Sequence, residues 1–219
     1  MGFAALTSGG KDSILSVQKA IDQGIQVTHL VTVRPDNPDS FMFHSSNLDA
    51  VPVIARLSGI VYAEILTKGE KEDELKDLSE GLEKLEIDGI TVGAVNSAYQ
   101  NDRVHAIAES LDIEVFAPLW QMDPELLLKE VAARMDAVIV VTAADGLSEE
   151  FLGSHIDNDL IERLMKISAR HHIHLAGEGG EYESLALNAP FYSRPLRYSS
   201  TQVIHHGAGR YELLLGGFS

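Results

Sequence analysis

Ser8-Gly9-Gly10-Lys11-Asp12-Ser13 lies between an apolar run, Phe3 to Thr7, and a helix-period segment that puts Ile14, Val17 and Ile21 on one face and ends at Gly24. Glycines let the backbone pass close to an anion, and the start of the helix, near Lys11 or Asp12, offers unpaired N–H groups. Lys11 adds a positive charge, and the serine hydroxyls can donate to phosphate oxygens. Asp12 would be repelled by a bare polyphosphate, which implies a bridging Mg²⁺ or a role in positioning the loop. The spacing is not that of the Walker loop, which has four residues between its glycines and then Lys-Ser or Lys-Thr, nor that of G-x-G-x-x-G.

Outward from this loop, the apolar runs Gln26 to Val33, Ile60 to Leu66, Ile90 to Val92 and Ile113 to Phe116 alternate with helix-period segments, the pattern of βαβ units in a parallel sheet. Between Lys68 and Leu85 the charge is dense. Leu75, Leu78, Leu82 and Leu85 nevertheless form one stripe, with Glu72 and Lys76 spaced to pair outside, so the segment reads as a solvated helix packed on the sheet. After Pro118 the pattern changes to a helix from about Asp123 to Met135, a strand from Ala137 to Ala143, a helix around Asp157 to Arg170, a glycine-rich turn and two late strand-like runs. The expected architecture is α/β: a mostly parallel, doubly wound nucleotide-binding domain over residues 1–118, then a smaller α/β substrate-binding domain over 119–219. No linker-like composition separates them, so they are expected to share an interface.

Among 219 residues, 33 acidic against 17 basic side chains give a formal charge of -16, which weighs against a large nucleic-acid footprint. Cysteine is absent, which excludes disulfides, thiolate metal sites and a Cys nucleophile within the chain. The start, Met1-Gly2-Phe3-Ala4-Ala5-Leu6, lacks a basic leader region, and no apolar stretch approaches the roughly 20 residues of a membrane span. A soluble, cytoplasmic protein with no membrane partner is expected.

The order S-G-G-x-D-S resembles the PP-loop of ATP pyrophosphatases. That resemblance implies binding of the β- and γ-phosphates of ATP, with Mg²⁺, and cleavage between the α- and β-phosphorus atoms. Sulfur-transfer members commonly use cysteines, and glutamine-dependent amidases a Cys nucleophile, so neither branch has its usual means here. Four further stretches make the resemblance span nearly the whole chain: Asp39-Ser40-Phe41-Met42-Phe43-His44; Gly93 to Gln100 leading to Arg103-Val104; Pro118-Leu119-Trp120; and Gly177-Glu178-Gly179-Gly180-Glu181-Tyr182-Glu183-Ser184. Together they are similar to the diphthine-ammonia ligase family. This implies amidation of the diphthine carboxylate on translation elongation factor 2 through an acyl-adenylate, with ammonium as nitrogen source and AMP and pyrophosphate released. A homodimer is compatible with this reading.

The sites follow. Ser8, Gly9, Gly10, Lys11, Asp12 and Ser13 are expected to hold ATP, with Val33 at the adenine by analogy with the PP-loop class. Lys11, Asp12, Glu181 and Glu183 are the catalytic candidates, with Asp12 on Mg²⁺. In an extended segment Glu181 and Glu183 share one face and could hold Mg²⁺, a ligand cation or ammonium. Diphthine carries a trimethylammonium group, which suits aromatic faces and carboxylates; Tyr99, Trp120, Tyr182 and Glu178 are of those types. Gly179 and Gly180 allow close backbone approach, Gln100 and Arg103 sit where a strand passes into a helix, and His44 follows the second strand. Departures from the family pattern are Asn101 where a basic residue is frequent, His105 where glutamate is, a missing cysteine further on, and Ser184 in place of threonine. His171, His172 and His174 are read as closing a helix, and His205 and His206 as pointing to opposite faces of a strand; neither set is assigned a site. Two rivals stay open: a PP-loop ligase acting on RNA, and an ATP-binding regulatory module without turnover.

Overall fold

The computed structural model describes residues 2–36, 46–68 and 73–219. The first half alternates strictly: β1 (Gly2–Leu6), α1 (Lys11–Asp22), β2 (Val27–Pro35), α2 (Val51–Ser58), β3 (Val61–Thr67), α3 (Asp73–Glu83), β4 (Ile87–Thr91), α4 (Ala98–Leu111) and β5 (Glu114–Phe116). All its strand pairs are parallel, in the order β3-β2-β1-β4-β5. Period-two alternation along the strands feeds the two faces separately. Ala5 and Leu30 point to α1 and α2, where Ile14, Leu15 and Ile54 are buried, whereas Ala4 and Val31 meet Leu78 and Leu82 of α3 and Val104 and Ile107 of α4. The leucine stripe therefore packs as expected. Its Glu72 lies outside the described residues; Lys76 pairs with Glu80 at 3.7 Å.

The sheet is doubly wound about β1. The chain runs outward from β1 to β3 on one side, then crosses to β4 on the other, so the loops after β1 and β4 diverge at the carboxyl edge and leave a crevice between them.

The second half holds α5 (Pro124–Arg134), β6 (Asp136–Thr142), α6 (Asn158–His171), β7 (Tyr182–Asn188), β8 (Ser200–Gly207) and β9 (Arg210–Gly216). Its sheet is antiparallel, ordered β7-β6-β9-β8. Asp123 caps α5 by accepting from the amides of Glu125 and Leu126, and Asp157 caps α6 by accepting from that of Leu160. One hydrophobic core runs through both halves, from Ile14, Leu15 and Ile54 to Leu127, Ile139, Leu164 and Leu185. Ile139→Ala is expected to cost about 2–5 kcal/mol through the cavity it leaves, measured by denaturant unfolding. No helix among the described residues is long and apolar enough to cross a membrane.

Candidate active site

The loop after β1 is built by short-range bonds. Gly9 N–H donates to Thr7 Oγ1 (2.9 Å), and Ser13 Oγ donates to Gly10 O (3.0 Å). Ser13 has thus spent its one proton, so Thr7 donates across the 2.8 Å contact between the two hydroxyls. Helix α1 starts at Lys11 with Gly10 as an extended N-cap and no side-chain cap within the loop, so the amides of Asp12 and Ser13 that follow Lys11 are left for a ligand. Gly93, in the loop after β4, lets the two loops touch: a Cβ there would stand 2.6 Å from Asp12 C and from Ser13 N.

The second half closes over this loop. Ser184 Oγ accepts from Lys11 N–H (3.2 Å), Gly9 O accepts from Ala186 N–H (2.9 Å), and Lys11 Nζ donates to Ala176 O (2.7 Å). The serine at 184 keeps the hydroxyl that this bond needs. Lys11 is only 3% exposed; its ammonium also pairs with Asp12 Oδ2 at 2.7 Å and lies 5.1 Å from the centroid of the Tyr182 ring. It therefore ties the loop to the second half as well as contributing charge.

Between these walls is a cleft of about 200 Å³, lined by Ser8, Gly10, Lys11, Asp12 and Ser13 from the loop, Val33 from β2, Gln100 from α4, and Gly177, Glu178, Tyr182, Glu183 and Ser184 from the second half. Asp12 Oδ1 is buried there without a hydrogen-bond partner among the described residues. No group of three or more His, Cys, Asp or Glu among the described residues is placed to hold a metal ion. Mg²⁺ bound through one carboxylate plus nucleotide phosphates does not need such a group, and the unpaired Asp12 oxygen fits that arrangement.

The glycine-rich turn folds back on itself. Gly177 adopts φ 79°, where a Cβ would also meet Tyr182 O at 2.9 Å; Gly180 is likewise at positive φ, whereas Gly179 is not. Glu181 is consumed inside the turn, Oε1 accepting from His174 N–H (2.7 Å) and Oε2 from Gly179 N–H (2.8 Å). Glu183 accepts from Arg210 at 3.3 Å. Glu178 lines the cleft and accepts from Val95 N–H at 3.0 Å. Tyr182 is buried, and its hydroxyl donates to Leu175 O (2.9 Å). Burial, then the nearby Asp12 and Glu181 charges, raise its pKa well above the ordinary value, so it acts as a neutral donor.

Tyr99, Arg103 and Trp120 do not line the cleft. The Arg103 guanidinium stacks 3.4 Å from the Tyr99 ring centroid with its Nε buried and unpartnered, and Trp120 packs against the core under α3 and α4. Ser97 caps α4, accepting from Gln100 N–H. Asn101 and His105 lie on α4 away from the lining, and His44 lies outside the described residues. His171 and His172 do end α6, but His174 does not: it sits beyond the helix, where its Nδ1 accepts from the amides of Ala176 (3.3 Å) and Glu178 (3.4 Å). His205 and His206 pair with different carboxylates, Glu149 and Glu212. Thr7, Ser46, Val92, Gly93 and Ala94 also line the cleft; of these, Gly93 and Ala94 carry a sequence signal, since they open the stretch Gly93 to Gln100.

A glycine loop passing from strand to helix at the switch point of a parallel sheet, with a half-buried acid beside it, defines an α/β nucleotide-binding protein of the PP-loop class. Family models for the diphthamide synthase N-terminal and C-terminal domains match residues 1–115 and 123–214. Diphthine-ammonia ligases from Homo sapiens and Mus musculus are 34% and 32% identical, over 95% of this chain and 86% of theirs. That of Schizosaccharomyces pombe is 28% identical over 95% of this chain and 38% of its own length. The chain belongs to the diphthamide synthase family. A predicted tRNA methyltransferase subunit from Methanocaldococcus jannaschii superposes with TM-score 0.49 and 16% identity over 87% of this chain and 98% of that chain, too remote a likeness to bear on function.

Proposed function

We propose that this protein is an ATP-dependent diphthine-ammonia ligase, converting the diphthine carboxylate of translation elongation factor 2 to the amide. The observation that carries the reading is the phosphate loop at the switch point, closed by Ser184, Ala176 and Tyr182 of the glycine-rich region that the family matches. The open amides of α1 receive polyphosphate oxygens, and Ser8 donates beside them. Asp12 Oδ1 would hold Mg²⁺, which when bound supplies charge neutralisation on the phosphates. Asp12 itself is held by Lys11, whose ammonium is fixed by Ala176 O.

The diphthine carboxylate attacks the α-phosphorus and pyrophosphate leaves. Ammonia then attacks the acyl carbon of the mixed anhydride and AMP leaves. Alignment and charge neutralisation are the protein's contributions to both steps. The test is AMP formation from ATP, Mg²⁺ and ammonium with elongation factor 2 carrying either diphthine or the unmodified histidine. AMP is expected only with the diphthine form; equal AMP with both, or none with either while ATP binds, would overturn the reading.

A further inference from the structure

Three carboxylates belong to the glycine-rich region, and their partners tell them apart. Both oxygens of Glu181 are taken by backbone amides, and Glu183 is held by Arg210. Glu178 gives Oε1 to Val95 N–H, while its Oε2 has no hydrogen-bond partner among the described residues. It faces the same cleft as the phosphate loop, where an anion would repel nucleotide unless it served a cation.

The backbone around Glu178 is braced as well. His174 Nδ1 accepts from the amides of Ala176 and Glu178, and its Nε2 meets the side-chain amide of Asn96 at 3.2 Å. With Nδ1 accepting, a proton on the ring belongs on Nε2, so the Asn96 amide, whose Nδ2 stands at 3.2 Å, accepts that proton when it is turned to present its oxygen. The two contacts, His174 to Asn96 and Glu178 to Val95, clasp the turn to the loop after β4 on the opposite wall of the cleft.

We propose that Glu178 is the ammonium subsite of the amidation step and that His174 is the positioning residue that sets it. This rests on the ligase reading and deepens it. The substrate's other cation, trimethylammonium, has no N–H to donate and prefers aromatic faces. Among the described residues Tyr182 is the aromatic one lining the cleft; it is 2% exposed, and Lys11 already stands over its ring. An open carboxylate oxygen instead matches a cation that donates hydrogen bonds. Ammonium first gives one proton to Glu178, which frees the nitrogen lone pair to form the bond to the acyl carbon. The bond from that carbon to the AMP oxygen breaks, AMP departs with the electron pair, and a second nitrogen proton passes to water as the neutral amide forms.

Hydroxylamine, neutral at working pH, separates this role from the rest of catalysis, because it can attack the same acyl carbon without surrendering a proton first. For Glu178→Gln acting on elongation factor 2 with diphthine, kcat/KM for ammonium chloride relative to hydroxylamine is expected to fall about tenfold or more, mainly through the ammonium KM. His174→Ala should lower the same ratio, and the double variant should be no worse than Glu178→Gln alone, because one residue acts through the other. Equal loss with both nucleophiles, or a rise confined to the KM for the diphthine protein, would overturn the ammonium assignment while leaving the ligase reading standing. Additive losses in the double variant would reduce His174 to a purely structural role. Absence of diphthine-dependent AMP from the wild-type protein would remove the ligase reading and this inference with it.

Discussion

Asp12→Ala is expected to lower AMP release at least about a hundredfold while the chain stays folded. The stability cost is limited by two opposing effects. Oδ1 is buried and unpaired, so its removal relieves a group that was desolvated without compensation. Oδ2 is lost as a partner of Lys11, yet the ammonium retains Ala176 O and the Tyr182 ring. The catalytic effect has no such offset, because among the described cleft-lining acids Asp12 alone belongs to the phosphate loop. Pyrophosphate release and thermal unfolding measured on the same preparation separate the two; unchanged AMP production would remove the loop from the mechanism.

Gly93→Ala is expected to be nearly as damaging by a different route. The added methyl would sit 2.6 Å from the backbone of Asp12 and Ser13, and backbone cannot rotate away as a side-chain tip can. Helix α1 must shift at its first turn, where the amides meant for phosphate begin. A displacement of about 1 Å at such a point is worth about a hundredfold in rate, with roughly 1–3 kcal/mol of overpacking lost from stability. Calorimetric titration with ATP should detect weakened binding in a folded variant. Wild-type affinity would mean that the contact between the two loops is not what places the helix.

The first half was legible because its signals are local. Each strand is a contiguous apolar run, each helix carries its own stripe, and the six residues of the phosphate loop are adjacent in sequence, so strand, turn and helix start could be placed together. Helix α2 is the exception. Its apolar run Val51-Pro52-Val53-Ile54 contains a proline, which breaks a helix interior but is tolerated at the first turn where it stands. The second half was harder, since strands that pair antiparallel with partners far along the chain leave no βαβ rhythm to read.

The site follows the same division. That Lys11 would meet a carbonyl 165 residues away, or that Ser184 would receive the amide at the head of α1, depends on how the two sheets dock and has no local mark. The alternation rule puts Glu181 and Glu183 on one face of an extended segment, but β7 starts only at Tyr182, and Glu181 lies in a turn whose amides fold around it. His174 shares a histidine-rich run with the helix end, but the left-handed residue His172 (φ 56°) turns the chain away before it. Tyr99 and Trp120 have the chemistry for a cationic substrate, but one is covered by Arg103 and the other packs on the core.

The claim on which all the rest depends is that the diphthine carboxylate attacks the α-phosphorus of ATP. Elongation factor 2 with diphthine carrying heavy oxygen in that carboxylate, incubated with ATP, Mg²⁺ and ammonium, tests it directly by mass spectrometry of the nucleotide product. One heavy oxygen atom in AMP is the predicted result; label appearing in pyrophosphate or inorganic phosphate, or AMP formed without any label, would contradict it.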